Sequence, residues 1–160
     1  MFLKERKITK KNSLLFGKKL LTNEMRTEKR VQIIIFNNQR ILLAKRKDRI
    51  KTRFYWRLPK GGVDDNETLE ETLKRELREE TGITQASEPK QVYYYEVKGK
   101  HAQNVTSFFV ETKQNAELTL DAMDEGIIEV QWFPPEEALK KLFFKEEKQA
   151  IKEALKQKLS

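Results

Sequence analysis

The chain has 160 residues, enough for one domain with a real core, and its 38% hydrophobic and 36% charged residues read as a soluble globular protein. It has no cysteine, which excludes disulfides, thiolate catalysis and cysteine-bound zinc, and its lone His101 makes a histidine metal site or a Ser-His-Asp triad implausible. The net charge of +8 sits at one end: residues 1–30 hold ten Lys/Arg against three Glu, and the rest holds 23 basic against 22 acidic residues.

In chain order, residues 1–29 read as a basic N-terminal extension and residues 30–160 as the domain. A basic arm attracts polyanions such as RNA, but no groove-reading motif accompanies these charges, so a solvated extension with weak nucleic-acid contact is expected. The arm lacks the apolar stretch of a secretory signal and is too Lys- and Glu-rich for a transit peptide. No apolar run approaches the roughly 18–20 residues that span a bilayer, so a cytoplasmic protein without membrane contact, monomeric or homodimeric, is expected. Strands are expected at Val31–Phe36 and Ile41–Ala44 around a tight turn at Asn37-Asn38, and at Phe54–Leu58. Pro59-Lys60-Gly61-Gly62 reads as a loop by its breakers. Residues 67–81 are helical, with Gly82 placed to stop the helix. Strands follow at Val92–Val97, Val105–Val110 and Ile127–Phe133. Helices close the chain at Glu136–Leu142 and Phe144–Leu159, the latter with an apolar stripe of Ala150, Ile151, Ala154, Leu155 and Leu159. This order predicts an α/β fold, a mixed sheet flanked by helices.

With no cysteine and one histidine, chemistry must run on carboxylates, lysines, arginines and metal. The stretch Gly61 to Ile83, GGVDDNETLEETLKRELREETGI, is where they concentrate. At about 100° per residue, Glu76, Glu79 and Glu80 share one ridge of the helix. Three such carboxylates repel one another unless a cation lies among them, and hard oxygen ligands suit Mg²⁺ or Mn²⁺. A solvated charged helix is the competing reading, and it fits Glu71, Lys74 and Arg78. It fits Glu76 and Glu80 less well, because they fall at or inside the arc of Leu69, Leu73 and Leu77, where a bare charge is costly.

The segment resembles the Nudix box, G-x5-E-x7-R-E-U-x-E-E-x-G-U with U aliphatic, at every specified position: Gly61, Glu67, Arg75, Glu76, Leu77, Glu79, Glu80, Gly82 and Ile83. The flanking strands and Trp132-Phe133 look like the rest of a Nudix domain from about residue 30 to 160. The resemblance implies an α/β/α sandwich and metal-dependent cleavage of phosphoanhydride bonds. It implies that Glu76, Glu79, Glu80 and the Gly61 backbone hold Mg²⁺ or Mn²⁺. Glu67 and Arg75 would tie loop to helix, and Gly82 would end the helix before Ile83 enters the core. The general base would be Glu76 or an acid from a later loop; among Asp121, Asp124, Glu125 and Glu129, Glu125 has the most suitable spacing before Trp132.

The flanks bear on substrate. Lys60 in Leu-Pro-Lys-Gly-Gly resembles the branch acting on dinucleoside polyphosphates and diphosphoinositol polyphosphates, as does Trp132 through Glu147. Lys60, with Arg46, Arg53 and Arg57, would contact the phosphate chain, although each arginine also fits an ordinary surface. The leading expectation is dinucleoside polyphosphate hydrolysis. Alternatives are ADP-ribose, diphosphoinositol polyphosphate, an oxidised nucleoside triphosphate, an RNA 5′ end, or a nucleotide-sensing module without turnover.

Overall fold

A computed structural model describes residues 26–48 and 52–160. Seven strands form one mixed sheet: β1 (Glu28–Asn37), β2 (Arg40–Lys47), β3 (Phe54–Arg57), β4 (Lys60–Gly62), β5 (Lys90–Val97), β6 (Gln103–Glu111) and β7 (Ile127–Phe133). Among the described residues four helices accompany them: α1 (Leu69–Thr81), α2 (Leu120–Asp124), α3 (Pro135–Lys141) and α4 (Lys145–Leu159). The sheet runs β3-β2-β1-β6-β5, with β4 added to the N-terminal half of β1 and β7 to β2. Among the described strand pairs β1–β6 is parallel and the others antiparallel, and an isolated parallel bridge joins Trp56 to Leu142.

Strand β1 is central and covered on both faces, which is why Val31–Phe36 is a nearly unbroken apolar run interrupted only by Gln32. Its side chains divide by alternation. Val31, Ile33 and Ile35 pack with Leu73, Leu77 and Ile83 of α1 and its C-terminal exit. Ile34 and Phe36 pack on the other face with Ala150, Ile151 and Ala154 of α4 and Ala138 of α3. The architecture is a sheet between two helical layers, as expected.

Four local readings change. Strand β1 begins at Glu28, so the last two residues of the segment read as an extension pair with Gln103 and Asn104 of β6. Residues 1–25 of that segment lie outside the described residues. The β1–β2 turn centres on Asn38-Gln39 rather than Asn37-Asn38, both with positive φ (50° and 67°), the geometry a two-residue hairpin needs. Glutamine seldom takes that conformation, so composition pointed one residue too early.

Lys60-Gly61-Gly62, read as a loop, is strand β4. The exposed backbone of β1 captures it: Gln32 lies opposite Lys60 and Arg30 opposite Gly62, and the Ile33 and Val63 N–H groups close the ends on Pro59 and Lys29 carbonyls. Asp121 and Asp124, read as loop acids, lie on helix α2. Thr119 caps it by accepting from the Ala122 N–H at 2.9 Å, and Gly126 (φ 89°) ends it.

Candidate active site

Helix α1 starts on a capping box, with Thr68 accepting from the Glu71 N–H and the Glu71 carboxylate accepting from the Thr68 N–H. It stops at Gly82, whose φ of 73° only glycine adopts freely and whose N–H donates to Arg78. These ends fix its length, and Leu69, Leu73 and Leu77 packed on β1 fix its rotation on the sheet. Glu76 and Glu80 are thereby carried inward, 2% and 3% exposed, while Glu79 stands at the rim.

Arg75 joins the loop to this helix. Its Nε and Nη2 donate to both oxygens of Glu67 at 2.7 and 2.9 Å, Nη2 also to the Gly62 carbonyl at 2.8 Å, and Nη1 to Glu76 at 2.8 Å and Glu79 at 3.4 Å. Glu67 further accepts from the Thr72 hydroxyl and the Asp64 N–H. The Arg75 guanidinium, foremost among these donors, holds the Glu67 carboxyl down at about 2. The Arg75 guanidinium is held above its ordinary range mainly by its bonds to Glu67. The fork is fully occupied and sets where Glu76 and Glu79 point.

Glu80 behaves differently. Burial is the main cause that pushes its carboxyl up to about 8; Arg46 opposes this, and the Glu76 and Glu125 carboxylates add to it. One oxygen receives Arg46 Nη2 at 3.4 Å, and the other is buried without a hydrogen-bond partner. Opposite the ridge, a side chain at Gly61 would strike the carboxylate of Glu76. A backbone that meets a carboxylate this closely, beside an orphaned buried carboxylate oxygen, fits a small hard cation. Among the described residues no three acidic side chains converge as a complete cage.

Helix α2 brings a fourth acid. The Thr119 hydroxyl donates to the Glu79 carbonyl, locking the start of α2 to α1, and α2 ends at Glu125, which bears electrostatically on Glu80. Of the four later acids, Glu125 is the one the structure brings to the ridge.

The basic residues separate. Arg46 lies against Glu80. Arg53 is exposed ahead of β3 and has no ion pair with any described residue. Arg57 is held by Glu147 of α4 at 2.6 Å and lies 4.1 Å from the Phe144 ring centroid. Lys60 does not stand beside the ridge. On β4 the side chains alternate, so Gly61 faces α1 with Val31 while Lys60 faces α4 with Gln32. Burial, with Arg57 and Arg30 adding to it, pulls the Lys60 amine down to about 8.

Sequence reasoning missed Glu147, which is 1% exposed and accepts from Arg57 Nε and from the Leu58 N–H at 2.8 Å. The signal was there: Glu147 precedes Ala150, Ile151 and Ala154 by three, four and seven residues, a charge on the apolar stripe of α4. Arg30 and Gln32 were missed as well, because β1 otherwise looks like pure core.

Residues 26–154 match the sequence model of the NUDIX domain. The chain belongs to the Nudix family. RNA pyrophosphohydrolases of two Wolbachia strains are 44% and 42% identical over 57 and 69 residues. These matches span 35% and 41% of this chain and only 34% and 41% of the relatives. Solved Nudix structures superpose over most of the chain. A C. elegans Ap4A hydrolase aligns with TM-score 0.67 at 21% identity, covering 83% of this chain and 98% of that one. The NUDIX domain of Shewanella oneidensis NrtR, solved with ADP ribose, aligns with TM-score 0.69 at 19% identity, covering 91% and 100%. At these identities the superpositions establish the fold alone. Among the described residues no helix is long and apolar enough to cross a membrane.

Proposed function

We propose that this Nudix protein is a divalent-metal-dependent pyrophosphohydrolase acting on nucleotide-type oligophosphates, dinucleoside polyphosphates first among them. The observation that carries the reading is the acidic ridge of α1: buried Glu76, oriented by Arg75 and facing Gly61, with buried Glu80 beside it and Glu79, also bound by Arg75, at the rim. A purely structural helix would not hold two carboxylates inside its apolar arc.

Glu76, Glu79, Glu80 and the Gly61 backbone would hold Mg²⁺ or Mn²⁺, which supplies charge neutralisation on the phosphate chain and activates water at neutral pH. The protein's own part is orientation and proton handling. Arg75 fixes the Glu76 and Glu79 carboxylates, and Glu67 fixes Arg75. Glu125, at the C-cap of α2 and close enough to bear electrostatically on Glu80, is the favoured general base, with Glu76 as the other candidate. The attacking water gives its proton to that carboxylate as its oxygen bonds to phosphorus, and the phosphate on the far side leaves with the bond electrons.

An RNA 5′-triphosphate end is the second reading, favoured by the partial identity to RNA pyrophosphohydrolases. The test is a Mg²⁺-dependent hydrolysis screen with product identification. Its substrates are diadenosine tetraphosphate, 5′-triphosphorylated RNA, ADP-ribose, a diphosphoinositol polyphosphate and an oxidised nucleoside triphosphate. Highest kcat/KM on the tetraphosphate supports the first reading; highest on RNA moves the assignment to the second. No Mg²⁺-dependent turnover of any of them would contradict the hydrolase reading.

A further inference from the structure

The last turn of α1 is finished by another part of the chain. The Gly82 N–H closes on Arg78, and the Ile83 N–H, four residues on from Glu79, donates to the Thr81 hydroxyl at 3.2 Å. Two more carbonyls meet the segment that leads into α2. Thr81 accepts from the Glu117 N–H at 2.9 Å, and Glu79 accepts from the Thr119 hydroxyl. Glu117 also lies over Gly82, where a Cβ would come within 2.8 Å of its Cγ. Residues 117–119 thus cap the C-terminus of the helix that carries the acids.

Thr119 has a second task. Its hydroxyl accepts from the Ala122 N–H at 2.9 Å as the N-cap of α2. One hydroxyl therefore joins two helix ends, giving its proton to α1 and a lone pair to α2. A helix of five residues does not hold itself in water, so α2 takes its place from what it touches. Ala122, fully buried, packs with Ala44 and Ile127, and Leu118 lies against them. At the far end the Gly126 carbonyl accepts from the Lys47 N–H at 3.0 Å, next to Arg46, which itself bonds Glu80. Glu125 lies between these tethers, six residues after Thr119 and one before Gly126, within electrostatic reach of Glu80.

We infer that Thr119 is a positioning residue: by tying α2 to the last turn of α1, its hydroxyl sets where Glu125 stands against the ridge of Glu76, Glu79 and Glu80. The tie itself stands on geometry. Its catalytic consequence rests on the proposed hydrolysis with Glu125 as base. A base has to reach the proton it takes, and a displacement of about 1 Å costs up to about 100-fold in rate. A mere helix cap would act on stability alone, whereas a positioning residue acts through Glu125.

Two measurements on the full chain separate these. The first is amide hydrogen exchange in EDTA. Thr119→Ala should speed exchange across residues 120–126 by about 3- to 30-fold, and Thr119→Ser, which keeps the hydroxyl, should stay within about twofold of wild type. Equal exchange in wild type and Thr119→Ala would overturn the tie. The second is a double-mutant cycle in Mg²⁺, on the substrate that wild type turns over best in the screen above. Thr119→Ala should lower kcat about 10- to 100-fold with KM within about threefold, and Thr119→Ser should stay within about threefold of wild type. In a Glu125→Gln background Thr119→Ala should cost less than about twofold more, because the group it positions has lost its function. Thr119→Val serves in its place if Thr119→Ala does not fold. The same loss in both backgrounds, or full activity in Thr119→Ala or in Glu125→Gln, would overturn the positioning role and leave the hydrolase reading intact. A wild type that turns over none of the five substrates would sink the hydrolase reading and the positioning role with it.

Discussion

The two faces of strand β4 differ in how their charges are assembled. On the α1 face, acids spaced three and four residues apart are gathered by the turn of one helix, and Arg75, one residue from Glu76, orients them. On the α4 face, Arg30, Arg57, Lys60 and Glu147 come from four elements and meet only through strand register and the docking of α4. Function built on local periodicity can be read from a sequence. Function built on register needs the fold. The difference also separates two expected kinds of effect on mutation, loss of turnover at the acidic ridge and loss of stability on the α4 face.

The largest effect is expected at the ridge. Glu79→Gln removes a charge at the rim without changing volume, and should cost on the order of 10³-fold in kcat with an unchanged melting temperature in EDTA. Retention of more than about a tenth of wild-type kcat at saturating Mg²⁺ would show that the helix face is not where the chemistry lies.

Glu147→Ala tests the other face through stability. It strips a buried carboxylate from Arg57 and from the Leu58 N–H, and should destabilise the fold by about 3–5 kcal/mol in urea unfolding. A loss below about 1 kcal/mol would mean that α4 is not held to β3 through this residue, and that the cationic face is set by something else.

A smaller effect separates the ridge acids from one another by pH. The Glu80 pKa is raised in the folded chain to about 8 from an ordinary 4.5, so without metal the folded state holds a proton that the unfolded state releases. Stability in EDTA should therefore fall as pH rises from about 5.5 to 8, a window in which Glu67, held near 2 in the fold and at an ordinary 4.5 in the unfolded chain, is ionised in both states and adds almost no slope. We expect a drop of a few degrees in Tm between pH 5.5 and 8.5, absent in Glu80→Gln and reversed by Mg²⁺. The same slope in Glu80→Gln would assign it to another group.

How far the sequence was legible follows the same division. The helix and the placement of Glu76 and Glu80 at or inside the leucine arc follow from 3.6-residue periodicity, and its stop from Gly82, whereas the Thr68 capping box was not read. Strand β4 was hidden because glycine and proline signal a loop, whereas the free edge of β1 supplies hydrogen bonds that composition does not show. Helix α2 was hidden by its five-residue length and its acids, although Thr119 three residues before Ala122 and Gly126 after it are cap signals. The side that Lys60 takes was not legible, because a loop has no alternation and a strand does.

Chain-length preference tests the account most directly, measured as kcat/KM for diadenosine tetraphosphate and for ADP-ribose, with wild type and Lys60→Ala at one fixed Mg²⁺ concentration. If Lys60 contacts the phosphate chain as expected, a two-phosphate bridge has less charge to present to it than a tetraphosphate. Wild type should prefer the tetraphosphate, and Lys60→Ala should lose roughly 10- to 150-fold on it, about 1.5–3 kcal/mol, with a smaller loss on ADP-ribose. Equal losses on the two substrates, or a wild-type kcat/KM higher for ADP-ribose, would contradict the dinucleoside-polyphosphate reading.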